Sequence, residues 1–331
     1  MTWLVTGGAG YIGAHICTAM REAGEEVVVL DDLSTGDAAR IPGTPVVQGS
    51  ILDGELVRRT LREHGVRGIV HVAAKKQVEE SVHRPLYYYE QNVEGLRVLL
   101  EAATEVGVES FVFSSSAAVY GAPDVKLVQE DTPTSPVNPY GTTKLIGERM
   151  VADVAVASGL QYANLRYFNV AGTAAPELTD RGVSNLVPMV FQQLDRRLPP
   201  QIFGDDYDTA DGTCVRDFVH VSDIASAHVA AARGLTDGRV SALTANIGRG
   251  EGVSVREMVT TIRSVSGTAD QDWSEPVIRP RRVGDPARVV ASSDTIEREL
   301  GWRAQCTVED MVRSAWEGWS TRPRPTDPGR P

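Results

Sequence analysis

Leu4-Val5-Thr6-Gly7-Gly8-Ala9-Gly10-Tyr11-Ile12-Gly13 is an apolar run that breaks into glycines three residues apart, at Gly7, Gly10 and Gly13. The apolar residues read as a buried strand. Residues 12–23 carry helical periodicity, so the glycines stand at a strand-to-helix turn. Glycine permits the tight turn and lets backbone approach a pyrophosphate. The helix N-terminus adds N–H donors and a positive dipole end. The next apolar run, Val27-Val28-Val29-Leu30, ends in Asp31-Asp32. Asp31 lies 18 residues beyond Gly13. A carboxylate there hydrogen-bonds ribose hydroxyls and repels a 2′-phosphate, which favours NAD over NADP.

Working outward, short apolar runs at 45–47, 68–72, 110–114 and 162–166 alternate with helical patterns at 55–64, 86–106 and 140–156. Apolar strands alternating with helices imply βαβ crossovers and a parallel sheet covered on both faces. The expected class is α/β, with a doubly wound parallel Rossmann sheet over residues 1–167. Prolines 188, 199, 200, 276, 280 and 286 break the second half into shorter pieces, and 204–212 reads as a loop. A smaller α+β substrate-binding lobe is expected over 168–320, the chain returning to the first domain around 213–235. Residues 321–331 hold four prolines in eleven and read as a disordered tail.

Thirty-three basic against 44 acidic residues give a net charge of −11. That is a poor match to nucleic acid or to an anionic membrane. No apolar run approaches the length of a membrane span, and the first residues lack the basic flank of a signal peptide. The three cysteines, Cys17, Cys214 and Cys306, are too few and too scattered for a disulfide framework or a zinc site, so no metal is expected and a reducing cytoplasm fits. The six histidines show no metal spacing.

Only four basic residues are lysines, so each is informative inside a motif. One closes Tyr140-Gly141-Thr142-Thr143-Lys144 at the start of a helical pattern. Residues i and i+4 share a helix face. An ammonium beside the phenol would favour phenolate and make Tyr140 a base near neutral pH. Upstream, Phe113-Ser114-Ser115-Ser116-Ala117-Ala118-Val119-Tyr120-Gly121 places hydroxyls at the carboxyl end of a parallel strand, where such sheets hold their ligands.

The three motifs together resemble the extended short-chain dehydrogenase/reductase family. Leu165-Arg166-Tyr167-Phe168-Asn169, Phe203-Gly204-Asp205-Asp206-Tyr207, Asp211-Gly212-Thr213-Cys214-Val215-Arg216-Asp217 and Pro280-Arg281-Arg282-Val283-Gly284-Asp285 narrow the resemblance. They resemble the UDP-glucose 4-epimerases, the galactose-type UDP-hexose 4-epimerases, from Thr2 to about Trp319. By that resemblance Tyr140, Lys144 and Ser116 are catalytic. Gly7, Gly10, Tyr11, Ile12, Gly13, Asp31, Asp32, Ser50, Ile51, Lys76, Asn92, Ser114, Tyr140, Lys144 and Tyr167 fall at NAD-contacting positions. Lys76, Ser116, Tyr140, Asn169, Asn185, Leu186, Phe203, Arg216, Arg282, Asp285 and Val289 fall where the family holds the UDP-sugar. Arginine suits a diphosphate because its charge is permanent and its donor fork planar.

The resemblance also implies the chemistry. Tyr140 takes the 4′-hydroxyl proton of UDP-glucose or UDP-galactose, and a hydride moves from C4 to tightly bound NAD. The 4-ketose pivots, and the transfers reverse on its other face. Ser116 hydrogen-bonds the 4′-oxygen, and Lys144 bridges the nicotinamide ribose. Related dehydratases and decarboxylases carry an acidic residue just after the strand's serine, where Ala117-Ala118 stand here. A non-catalytic NAD-binding regulator is the alternative of another class, but such proteins lose the tyrosine or the lysine. A small residue at Val289 implies room for UDP-N-acetylhexosamines. A homodimer through residues 86–106 and 140–156 is the family's habit. Two positions depart from its pattern: Gly49-Ser50-Ile51 replaces Gly-Asp-Ile, and Tyr207-Asp208 replaces Tyr-Pro.

Overall fold

The computed structural model of the chain describes residues 1–282 and 284–321. All of the proline-rich tail beyond Thr321 lies outside the described residues. The first half runs β1 (Thr2–Thr6), α1 (Tyr11–Glu22), β2 (Glu26–Asp31), β3 (Val46–Gln48), α2 (Gly54–Glu63), β4 (Gly68–His71), α3 (Val78–His83), α4 (Pro85–Tyr88), α5 (Gly95–Val106), β5 (Ser110–Ser116), α6 (Pro139–Ser158) and β6 (Gln161–Tyr167). The second half runs β7 (Asn169–Ala171), α7 (Leu186–Asp195), β8 (Gln201–Phe203), β9 (Val215–His220), α8 (Val221–Thr236), β10 (Ala242–Ile247), β11 (Gly252–Ser254), α9 (Val255–Val265), β12 (Val277–Arg279), β13 (Arg288–Val289), α10 (Asp294–Leu300) and α11 (Val308–Ser320).

Seven strands form one parallel sheet in the order β3-β2-β1-β4-β5-β6-β10. Side chains alternate across a strand, and here both faces are covered, which is why β1, β2 and β4 are apolar on both faces. Trp3 and Val5 face one core with Ala14 and Ile16 of α1 and Ile224 of α8. Leu4, between them, faces the other with Val57 of α2 and Leu99 of α5. The expected doubly wound Rossmann sheet is therefore present. Its order reverses between β1 and β4, where such sheets leave a crevice beyond their carboxyl ends.

α8 packs beside α1, and β10 joins the large sheet at its β6 edge. A second sheet is built on β9, which pairs with β7 and β13 in parallel and with β11 antiparallel. Helices α7, α9 and α11 cover it over a core that includes Phe191, Met258, Val312 and Trp319. β8 and β12 form a separate parallel pair.

One element differs from the periodicity. Residues 86–106 read as a single helix, but Tyr89–Glu94 between α4 and α5 is π-helical. The extra residue per turn carries Asn92 inward to 5% exposure. π-helical turns concentrate at functional sites. No helix among the described residues is long and apolar enough to cross a membrane.

Candidate active site

The glycine turn sits at the carboxyl end of β1. A Cβ built on Gly13 would lie 2.1 Å from the Gly7 carbonyl oxygen, so no larger residue fits without opening the turn. Gly10 caps α1 without a side chain, and no acidic residue stands in the helix's first turn. The N-terminal N–H groups and the dipole are thus left to an anion. Asp31 is 7% exposed and spans the turn. One carboxylate oxygen accepts from Ala9 N at 2.9 Å and the other from Leu33 N at 2.8 Å. Burial pushes its pKa up, against those two N–H groups. Asp32 is exposed and accepts from Ser34. Lys75 reaches back to Ser34 Oγ at 3.1 Å. It lies 3.9 Å from Asp32.

Other expected cofactor positions differ in their surroundings. The Tyr11 hydroxyl donates to the Gly172 carbonyl at 2.6 Å, tying α1 to the segment after β7. Ile12 packs on the core beneath the sheet. Ser50 accepts from Leu52 N at 3.2 Å within its own turn, and Ile51 is buried in the second core. Asn92 binds both peptide groups of Lys75 and donates to Thr143 Oγ1 at 3.0 Å. It fastens the loop after β4 to α6. Lys76 is exposed. Lys75, which the sequence reading passed over, is the lysine that crosses toward β2. Its only sequence signal was the scarcity of lysine.

α6 begins with Asn138 accepting from Gly141 N at 2.9 Å and Pro139 in the first turn, a strong start signal. A Cβ on Gly141 would lie 2.5 Å from the Ala118 carbonyl oxygen. Its absence lets the helix start press onto the turn after β5 and brings Tyr140 to Ser116. Ser116 Oγ caps that turn, accepting from Ala118 N at 3.2 Å. The hydroxyl hydrogen remains free to donate on the side of the Tyr140 phenol. Burial raises the Tyr140 pKa, and the Ser116 bond pulls it down.

The i, i+4 spacing places Lys144 on the same helix face, and its ammonium meets the backbone of β5. Lys144 Nζ donates to the Ser114 carbonyl at 2.7 Å and sits 5.0 Å from the Phe113 ring centroid. Its stem runs from the helix toward β5, and the strand's last carbonyls take the charge. Burial lowers its pKa to about 8, with Glu148 opposing. Tyr167 stands at the end of β6, and burial pushes its phenol pKa up.

A second group lies around β9 and β13. Val289 pairs with Arg216 in register and is 8% exposed, packed near Phe168 and Val119. Arg216 lies 3.4 Å from Asp285 and donates to its neighbour's carbonyl, Val215 O, at 2.9 Å. The Arg282 guanidinium stacks 4.0 Å from the Phe203 centroid. Arg281, which was quoted in its motif but assigned nothing, stacks 4.1 Å from Tyr207 and pairs with Asp206 at 2.5 Å. Asn169 opens β7 and is exposed. Asn185 donates to Asp180 at 2.9 Å at the start of α7, which Leu186 begins. Aromatic rings backed by cations suit a base and a diphosphate.

A parallel sheet that reverses at β1/β4 over a glycine turn, with a tyrosine–serine pair at the end of β5, defines a dinucleotide-type α/β protein with a polar site beside its crevice. The model of the NAD dependent epimerase/dehydratase family matches residues 3–248, and the chain belongs to that family. It is 46% identical over 322 residues to a UDP-glucose 4-epimerase of Azospirillum brasilense, covering 95% of this chain and 91% of the relative. A solved UDP-glucose 4-epimerase of Stenotrophomonas maltophila, described with bound NAD and formylated UDP-arabinopyranose, superposes with a TM-score of 0.91 at 42% identity. It covers 97% of this chain and 98% of the other. A UDP-Glc/GlcNAc 4-epimerase of Campylobacter jejuni superposes with a TM-score of 0.85 at 34% identity, covering 97% and 99%.

Proposed function

We propose that this chain is a UDP-glucose 4-epimerase, an isomerase that interconverts UDP-glucose and UDP-galactose through a 4-keto sugar with bound NAD. The observation that carries the reading is the Tyr140–Ser116 pair at the carboxyl end of β5, with alanines rather than a carboxylate at 117 and 118. A dehydration would need an acid beside the reacting carbons; an epimerisation needs only a base and a hydride carrier.

The glycine turn fits a dinucleotide. Gly7, Gly10, Tyr11, Ile12 and Gly13 would take the pyrophosphate. Asp31 and Asp32 would take the adenosine ribose, with Ser50 and Ile51 by the adenine. Lys76, Asn92, Ser114, Lys144 and Tyr167 would frame the nicotinamide half. When bound, NAD would supply the acceptor for the hydride leaving the sugar's C4. Tyr140 would then take the 4′-hydroxyl proton, with the Ser116 hydroxyl beside the two oxygens. The same two residues act in reverse on the turned sugar. Arg216, Arg282 and Asp285 would hold the diphosphate and uridine beside Phe203, with Asn169, Asn185 and Leu186 on the other side. Binding through UDP leaves the sugar free to pivot.

Val289 is small, which supports a pocket that also admits UDP-N-acetylhexosamines. Faces of α5 and α6 would pair two copies as a homodimer, and three free cysteines suit the cytoplasm. The test is incubation of the purified protein with UDP-galactose and no added NAD. UDP-glucose is the expected product, and Tyr140→Phe abolishes it. No product even with added NAD overturns the reading.

A further inference from the structure

β2 and β4 flank β1 in the large sheet, so their carboxyl ends stand about 10 Å apart, two strand spacings, with the glycine turn of β1 between them. The Lys75 side chain crosses that gap. It starts in the loop after β4 and ends on the turn after β2, where Nζ donates to Ser34 Oγ at 3.1 Å and lies 3.9 Å from Asp32. The two ends of the crossing are held differently. At the root, Asn92 accepts from Lys75 N at 2.8 Å and donates to Lys75 O at 3.0 Å. The same amide donates to Thr143 Oγ1 on α6. A Cβ on Gly7 would lie 2.7 Å from Ala73 N, so this loop also presses on the glycine turn. At the tip, Asp32 Oδ1 accepts from Ser34 N at 2.9 Å and from Ser34 Oγ at 2.7 Å, and Leu33 between them takes a φ of +56°. Ser34 spends its hydrogen on Asp32, so its oxygen is left to accept from Lys75. The Lys75 and Asp32 side chains are 23% and 43% exposed. A pair so open to water holds weakly and is screened by salt. A fixed root and a breakable tip are what a latch needs.

We propose that Lys75 is a clasp over the cofactor crevice: its ammonium, hooked on the Ser34–Asp32 turn, closes the crevice across the glycine turn and slows release of a bound dinucleotide. The proposal rests on the NAD site proposed above and adds a residue to which that site gives no part. Opening the clasp requires only rotation of the lysine stem, because the backbone at its root is tied to Asn92 and stays in place. The effect therefore falls on dissociation rather than on the shape of the site.

The test compares wild type, Lys75→Met, Lys75→Arg and Ser34→Ala as full-length holoenzymes. Each is loaded with radiolabelled NAD and chased with excess unlabelled NAD, and the label retained by the protein is counted over time. No turnover is involved. Lys75→Met keeps an apolar stem and loses the ammonium, and it releases label about fivefold faster, the equivalent of one ordinary hydrogen bond. Ser34→Ala leaves the ammonium in place and removes the oxygen it hooks, and it also releases label faster than wild type. Lys75→Arg, which keeps charge and donors, restores slow release. Added salt speeds release from wild type and narrows its gap to Lys75→Met, because it screens the Lys75–Asp32 pair. Release from Lys75→Met at the wild-type rate overturns the proposal. So does a wild-type rate in Ser34→Ala, which would reduce Lys75 to a nearby charge, or an arginine variant as fast as methionine. A wild type that binds no NAD at all refutes the dinucleotide reading and the clasp with it, whereas a wild type that holds NAD no longer than its variants refutes the clasp alone.

Discussion

Ser116→Ala removes a hydroxyl that lowers the Tyr140 pKa. Ser116 Oγ spends a lone pair on Ala118 N at 3.2 Å, so its hydrogen is the part directed at the phenol. A hydrogen bond to a charged group contributes about 1.5–3 kcal/mol, and the phenolate is the charged form. At about 1.4 kcal/mol per tenfold, kcat at pH 7 falls roughly 10- to 100-fold. The loss is not uniform. Burial still pushes the phenol's pKa up, and the group opposing it is gone, so the acidic limb of kcat moves to higher pH. The deficit shrinks as pH rises. KM changes little, because the residues proposed to hold UDP lie elsewhere. The lost cap costs about 1 kcal/mol of stability, or about 1–2 °C in a chain of this length. The assay is a kcat and KM profile for UDP-galactose from pH 6 to 9.5, beside a melting curve. A deficit independent of pH, or a rise in KM at constant kcat, refutes the assignment of Ser116 as the donor to Tyr140.

Gly13→Ala puts a methyl group 2.1 Å from the Gly7 carbonyl oxygen. The variant is expected to keep its helix content by circular dichroism and to purify without the nucleotide that absorbs at 260 nm; retention of nucleotide contradicts the cradle. Glu148→Ala strands Arg166, whose side chain is 8% exposed and bonded to both Glu148 oxygens. A broken buried pair costs about 3–5 kcal/mol, lowering Tm by about 4–7 °C; a drop under about 1 °C contradicts it. Lys144→Met tests a pH linkage. Burial lowers the lysine pKa to about 8, below its unfolded value, so the unfolded chain binds more protons between those values and folding stability rises with pH there. The variant's stability advantage over wild type is therefore largest at pH 7 and closes as pH climbs past about 8. A constant gap by thermal melting goes against a buried cationic lysine.

Six strands of the large sheet were legible because their signals are local and repeated; the seventh, β10 at Ala242–Ile247, was not read. Each strand is a short apolar run, each helix has its own period, and Gly13 and Asp31 mark the turn and the strand end on which the crevice depends. The second lobe was not legible in detail. β9 takes partners from β7, β11 and β13, which span residues 169 to 289, and β13 is only two residues long. No two-residue strand has a periodicity. The π-helical turn at 89–94 was missed for a related reason, since its cause is the burial of Asn92 against Lys75 and Thr143 rather than any helix-breaking residue.

The Tyr140–Lys144 pair shows where spacing stops being informative. An i, i+4 interval fixes a shared face, and the structure keeps it. It does not fix which atom the ammonium meets. A buried lysine seeks the nearest unsatisfied acceptor, because leaving its charge unpaired costs far more than the gain from sitting near a neutral phenol. At the carboxyl end of a parallel strand the open acceptors are the last backbone carbonyls, and Ser114 O is the one in reach at 2.7 Å. The phenol is left with the serine. The motifs gather Ser116, Tyr140 and Lys144 at one end of β5, but do not fix the atom that the Lys144 ammonium meets there. The carbonyl that decides it belongs to the backbone, which every sequence contains and no motif records.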